Sequence, residues 1–333
     1  MPRPGRPLSR RQLFAIPRGE AGDREGHWIR VHRRAMACRF EITLSEEDAG
    51  HVPAARAALD EVERIEDALT VFRETSEVAE INRAAAAAPV AVSPLLYELL
   101  ERCRSVYEAV GGAFDPTSTP LSRTWGFLAR EGRLPTEEEI ESSRAAVGFD
   151  KVELDPERRT VRFRAPGIAL NFGSIGKGYA LDLVATGLRA RGVPKALLSA
   201  GGSSVLAFGE GEGFPVNVTS PRRAQVLAHL TMREGCLATS GAGEQFFEVE
   251  GRRYGHVIDP RTGWPAEGVL SASVVARSAA EADALSTAFL VAGPDFAKSY
   301  CDAHPGVMAL LVPEDDSAVL VFGEAEGVEV DAG

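Results

Sequence analysis

Three groups of side chains in this 333-residue chain could do chemistry. The first is Gly173-Ser174-Ile175-Gly176-Lys177-Gly178. It follows residues 160–170, an apolar alternating run that reads as a strand, and precedes residues 180–191, which read as a helix. Glycines and a cation between a strand and a helix aim backbone amides and positive charge at a phosphate. Lys177 stands out because the only other lysines are Lys151, Lys195 and Lys298. No Ser or Thr follows the lysine, as a Walker A loop would require, and the spacing is not that of a dinucleotide fingerprint. A tight turn with a solvated lysine fits the same residues.

The second group is Asp283 and Thr287. Ser278-Ala279-Ala280-Glu281 has the pattern of a capping box, so a helix opens there. Residues four apart on it share a face. Two oxygen side chains on one face suit a hard cation such as Mg²⁺, completed by phosphate and backbone oxygens. A carboxylate favoured by the helix dipole, beside a threonine bonded to the backbone, is the plainer alternative. The third is His256, at the end of a predicted strand and before the polar turn 259–263. Its ordinary pKa suits it to move a proton near neutrality; a packing role is the other reading. Asp115 before Pro116 reads as a turn former. Gly201-Gly202 closes a predicted strand over 196–200, as a close ligand approach or a hairpin turn would require.

Those groups need a scaffold of mixed type. Strands are predicted over 28–31, 39–44, 152–154, 160–170, 196–200, 203–208, 236–241, 246–249, 253–258, 270–276, 307–312 and 318–322. Helices are predicted over 52–71, from 76, over 94–110 after the cap Ser93, and over 135–146, 180–191 and 278–292. Residues 1–27 read as a flexible basic tail, and 326–333 as an acidic one. Leu8-Ser9-Arg10-Arg11-Gln12-Leu13-Phe14 looks like a twin-arginine export motif, but Pro17 and the charged residues behind it interrupt any apolar h-region. A cytoplasmic location is expected, with export as the alternative.

Composition excludes some classes. Net charge is −11, which argues against a nucleic-acid surface. No apolar run is long enough to span a bilayer. Cys38, Cys103, Cys236 and Cys301 show no metal-ligand spacing and imply no disulfide framework.

Taken in order, Met36-Ala37-Cys38, Ala113-Phe114-Asp115-Pro116-Thr117, the 173–179 loop, Gly201-Gly202, Ala238-Thr239-Ser240-Gly241, His256-Val257-Ile258-Asp259-Pro260-Arg261-Thr262-Gly263 and Ala282-Asp283-Ala284-Leu285-Ser286-Thr287 resemble the FAD:protein FMN transferase (ApbE) family. The likeness runs from about Trp28 to Phe322. The H-x-I-D-P-R-T-G and A-D-A-L-x-T segments are specific; the shorter ones are weak singly.

The resemblance implies an α/β fold of mixed α+β type, with one catalytic domain over 28–325 and lobes at 28–150 and 151–325 around a flavin cleft. It implies Mg²⁺-dependent splitting of FAD at its pyrophosphate. FMN is then joined by a phosphoester to a Thr or Ser hydroxyl of an acceptor protein carrying an S-G-A-T-like segment, and AMP leaves. It places the metal on Ser174, Asp283, Ser286 and Thr287. FAD contacts fall on Met36, Phe72, Ala113, Phe114, Asp115, Asn171, Lys177, Gly201, Gly202, Thr239, Val257 and Ile258, with His256 and Lys177 catalytic. Mg²⁺ and Lys177 would bear on the pyrophosphate. Two positions depart from the family. Asn171 stands where aspartate is usual, keeping hydrogen bonding and losing charge, and Cys38 stands where threonine is frequent. Ser240-Gly241-Ala242-Gly243 mimics part of S-G-A-T without its threonine, so self-modification is not expected. An FAD hydrolase and a non-catalytic flavin binder are the alternatives.

Overall fold

A computed structural model describes residues 14–15, 28–220, 225–243, 245–315 and 319–331. Its framework is one antiparallel sheet of eight strands. They are β1 (Trp28–Ala35), β2 (Cys38–Ser45), β3 (Ala196–Ala200), β4 (Ser204–Phe208), β5 (Gly235–Gly241), β6 (Val269–Ala276), β7 (Met308–Pro313) and β8 (Leu320–Phe322). The strands lie side by side in chain order from β1 to β8. Phe40 pairs with Ala200, so β2 joins β3 across the expected lobe boundary at 150/151. One sheet therefore runs through both expected lobes.

Eight α-helices are described: α1 (Val52–Leu69), α2 (Glu77–Ala84), α3 (Pro94–Ala109), α4 (Thr119–Thr124), α5 (Glu137–Arg144), α6 (Gly176–Ala190), α7 (Ala279–Ala292) and α8 (Pro294–Ala303). The main core contains apolar side chains of α1, α6 and α7 with one set of sheet residues, among them Ala196, Leu198 and Leu206. A second core takes the alternate residues Leu197, Val205 and Ala207. These pack against a smaller sheet formed by Phe14–Ala15, Phe214–Thr219, Val226–Met232 and Val328–Asp331. Strands covered on both faces need no polar alternation, which is why β3, β4, β6 and β7 read as nearly continuous apolar runs.

Several boundaries differ from the sequence expectation. The strand expected over 160–170 ends at Phe163. Only an isolated bridge from Ala169 to Ser118 follows it. The α6 helix begins at Gly176 rather than 180, so Gly176, Lys177 and Gly178 form its first turn. The acidic segment 326–333 does not trail off throughout, because Val328–Asp331 pairs with His229–Met232. Of the N-terminal segment, Phe14–Ala15 pairs with Val218 and Asn217; the rest of 1–27 lies outside the described residues.

Candidate active site

The site is built on the contact between α6 and α7. Burial surrounds α7 on every side, as its run of Ala, Leu and Phe demands. Its start is held by Ser278, whose Oγ accepts from the Glu281 N–H at 3.4 Å. The expected capping box is formed only in its Ser278 half, and Asp182 of α6 supplies the rest of the cap. Its carboxylate accepts from the N–H groups of Ala279 and Ala280 at 2.8 and 3.1 Å. Gly178 sits so close to the Ala279 carbonyl that a Cβ would overlap it. The glycine is there for close helix approach, not for a flexible loop.

Asp283 is 5% exposed. Its Oδ2 accepts from the Gly178 N–H at 2.6 Å, and its Oδ1 from the Ser204 hydroxyl at 2.6 Å. Burial pushes its carboxyl above the ordinary value, and the nearby Lys177 charge opposes this. A carboxylate has roughly four acceptor sites, so each oxygen keeps capacity beyond these two bonds. Beside it lies a hydroxyl cluster. Ser240 Oγ is 2.9 Å from Ser286 Oγ and 3.0 Å from Thr287 Oγ1. Ser286 also donates to the Asp283 carbonyl at 2.9 Å. No group of three or more His, Cys, Asp or Glu capable of holding a metal is found among the described residues. Any hard cation here would rest on one carboxylate, hydroxyls, backbone carbonyls and the ligand's own oxygens.

Two cavities meet at Asn171, Gly173, Lys177 and Ser203. Lys177 Nζ donates to Ser203 Oγ on that shared wall. The first cavity, about 310 Å³, includes Ala113, Asp115, Ser174, Thr239, His256, Val257, Ile258 and Thr287 in its wall. The second, about 320 Å³, takes Met36, Phe72, Gly201 and Gly202. Phe72 is 84% exposed at its edge. Met36 and Ala37 form the turn between β1 and β2 with φ of 49° and 56°. That conformation suits a tight hairpin but is uncommon for residues with a Cβ.

His256 is placed by an aromatic cluster. The buried Trp125 donates its indole N–H to the Gly263 carbonyl at 2.9 Å. Its ring lies 5.6 Å from that of Tyr254 and 5.3 Å from that of Trp264. His256 Nδ1 lies 3.1 Å from the Gln245 carbonyl. A carbonyl only accepts, so that contact puts a proton on Nδ1. Asp115 accepts from the Thr117 N–H and hydroxyl at 2.8 and 2.6 Å. It is the turn former its sequence suggests and also a wall of the first cavity. Burial pushes its carboxyl up to about 6, and the Thr117 bonds oppose the rise. Asn171 Oδ1 accepts from the Gly173 N–H at 2.8 Å, which shapes the loop beneath Lys177.

Most expected site residues thus converge. Phe114 does not join them: its side chain is in the main core, and it lines neither cavity. Asp283 and Ser286 stand behind the walls, with Thr287 in front. Ser203 and Ser204, partners of Lys177 and Asp283, were not among the expected residues. Two hydroxyls directly after Gly201-Gly202 were the available signal. Ser118, Thr119, Ser122 and Leu128 also line the first cavity without having been expected.

The model of the ApbE family matches residues 36–311. The chain belongs to the ApbE family. The ApbE match spans the Met36 turn, both cavities and α7. A FAD:protein FMN transferase from Treponema pallidum (strain Nichols) is 32% identical over 316 residues, covering 88% of this chain and 86% of that protein. One from Klebsiella pneumoniae (strain 342) is 32% identical over 263 residues, covering 78% and 79%. The crystal structure of an ApbE protein from Thermotoga maritima superimposes with a TM-score of 0.81 at 30% identity, covering 90% of this chain and 97% of that one. The ApbE fold is thus mixed α/β here as well. No helix of the described residues is long and apolar enough to cross a membrane.

Proposed function

We propose that this ApbE chain is an enzyme that transfers FMN from FAD to a Thr or Ser hydroxyl of an acceptor protein through a phosphoester, releasing AMP. The observation that carries the reading is the pair of similar cavities meeting at Lys177. That layout suits a molecule with two ring systems joined by a pyrophosphate. It agrees with the name FAD:protein FMN transferase borne by relatives.

In this reading Lys177 lies against the pyrophosphate and offsets charge gathering on the departing AMP oxygen. The acceptor oxygen bonds to the FMN phosphorus, and the bond from that phosphorus to the bridging oxygen breaks. The hydroxyl proton passes to Nε2 of His256, which the Gln245 carbonyl orients from the other side of the ring. Asp283, Thr287, Ser286 and the Ser174 carbonyl are the oxygen donors that would hold Mg²⁺. Their hard-oxygen character fits that ion, as does a buried carboxylate whose charge lacks full compensation. When bound, the ion supplies further charge neutralisation at the pyrophosphate.

The test is incubation with FAD, Mg²⁺ and a peptide containing S-G-A-T, read by intact mass. A peptide heavier by one phosphoester-linked FMN supports the reading. FAD left intact refutes it.

A further inference from the structure

Among the described residues, Lys177 is the only lysine or arginine in the wall of either cavity. A lysine carries its charge on a flexible four-carbon stem, so the stem alone does not fix where the charge sits. Here the side chain is half-buried and its Nζ donates to Ser203 Oγ. That hydroxyl belongs to a firmly held residue. Gly201 and Gly202 turn the chain with φ of 63° and 72°, and the Ser203 N–H donates to the Ala200 carbonyl at 3.3 Å. The Ser203 carbonyl accepts from the Thr239 N–H of β5 at 2.8 Å. Thr239 Oγ1 in turn lies 2.6 Å from Ser273 Oγ of β6. Ser203 is 7% exposed, and its oxygen moves about a single χ angle.

The next residue, Ser204, donates to the Asp283 carboxylate at 2.6 Å. Two adjacent hydroxyls thus take two opposite charges: Ser203 the ammonium, Ser204 the carboxylate. The charges are near enough to feel one another. Burial pushes the Asp283 carboxyl up, and the Lys177 charge is the strongest influence opposing that rise. Direct pairing of the two would draw the ammonium toward α7 and occupy both groups. An ammonium has three donors; with one on Ser203, two remain for oxygens of a ligand lying across both cavities.

We propose that Ser203 is a positioning residue for Lys177: its hydroxyl holds the ammonium at the junction of the two cavities, against the pyrophosphate of FAD and apart from the Asp283 carboxylate. This rests on the transferase reading above. The hydroxyl acts through the lysine and touches no reacting atom. Its loss leaves both cavity walls in place and lets the charge wander from where it develops on the departing oxygen.

The experiment is a double-mutant cycle with wild type, Ser203→Ala, Lys177→Ala and the two combined, and with Ser203→Thr as the conservative variant. FMN-peptide formation is measured at saturating FAD with Mg²⁺ and an S-G-A-T peptide. FAD affinity is measured by fluorescence titration, and melting temperature on the ligand-free proteins. Ser203→Ala is expected to slow transfer about tenfold, the upper value of one net hydrogen bond. Its FAD affinity should change less than about twofold and its melting temperature by less than about 2 °C. Ser203→Thr keeps the hydroxyl and should keep most of the rate. In the Lys177→Ala background, Ser203→Ala should change nothing further, because residues that act through one another are not additive. The same tenfold loss with and without Lys177, a Ser203→Ala rate equal to wild type, or a folded threonine variant as slow as the alanine variant would overturn the proposal. So would a loss of FAD affinity as large as the loss of rate. Should Ser203→Ala not fold, Ser203→Cys takes its place, since a thiol keeps the size and accepts only weakly. Wild-type protein that leaves FAD and peptide unchanged would instead overturn the transferase reading itself, and this inference with it.

Discussion

Oδ2 of Asp283 accepts the Gly178 N–H at 2.6 Å, so a carboxylate in α7 satisfies an amide in the first turn of α6. The first turn of a helix carries unpaired N–H groups and a positive dipole end, and both favour an anion. The same carboxylate takes the Ser204 hydroxyl at 2.6 Å. Its site role and its structural role are therefore joined. Asp283→Ala would strand two buried donors at about 1–3 kcal/mol each, and is expected to lower the melting temperature as well as activity. Asp283→Asn keeps an acceptor oxygen and should fold better than the alanine variant. Its turnover is expected to fall about 10²-fold or more. Calorimetry and initial rates on both variants separate the two effects.

Gly178→Ala tests the helix contact without touching a charged group. The added Cβ meets the Ala279 carbonyl, a backbone atom that cannot rotate away. Overpacking of this kind typically costs about 1–3 kcal/mol. Chemical denaturation should show a loss in that range; a variant as stable as wild type would mean that α6 and α7 approach less closely than described.

The relation between Gly178 and Ala279 also shows what could be read from residue order. Asp283 and Thr287 share a helical face by spacing alone, and the family motifs marked Met36, His256 and the 173–178 loop. The loop's role was only half legible. Gly178 reads as a turn residue in one dimension, whereas its need for a missing side chain comes from a helix about a hundred positions later. Ser203 and Ser204 were hidden for the same reason: their partners Lys177 and Asp283 are reached only through the β3–β4 hairpin. Phe114 shows the reverse error. It lies within a binding motif, yet its apolar ring goes to the core while its neighbours Ala113 and Asp115 face the cavity. The strand Phe214–Thr219 was legible, with Phe214, Val216 and Val218 buried in alternation, and it was not expected.

Asp115 gives a pH prediction. Its carboxyl rises from 3.8 to about 6 on folding, mainly through burial. The folded state therefore holds this proton more tightly than the unfolded state does. Stability from this group is greatest below about pH 4 and declines as pH rises toward 6, by about 3 kcal/mol in all. Asp115→Asn removes the titration. Denaturation of the ligand-free proteins between pH 4 and 7 should show a shallower decline in the variant. Parallel curves would contradict the assignment.

Lys177→Ala should slow the reaction more than it weakens FAD. The remaining walls of the two cavities still hold the ligand, while the cation acts where charge develops. At saturating FAD the rate is expected to fall about 10²–10³-fold, with a much smaller change in affinity by fluorescence titration. Matching losses in both would make Lys177 a binding residue alone.

His256→Ala should spare FAD binding and reduce FMN transfer to peptide by about 10²–10⁴-fold, the usual value of general-base help. FAD has no proton that must leave for the reaction, whereas the acceptor hydroxyl does. Loss of binding together with transfer would assign His256 to ligand positioning.

In the proposed reaction the split of FAD is coupled to esterification of a protein hydroxyl. The ratio of AMP released to FMN-peptide formed reports that coupling. It is taken over one time course with wild-type protein, FAD, Mg²⁺ and an S-G-A-T peptide. Coupled transfer gives one AMP for each FMN-peptide, and no AMP when the peptide's threonine is replaced by alanine. AMP and free FMN accumulating while the peptide stays unmodified would contradict it.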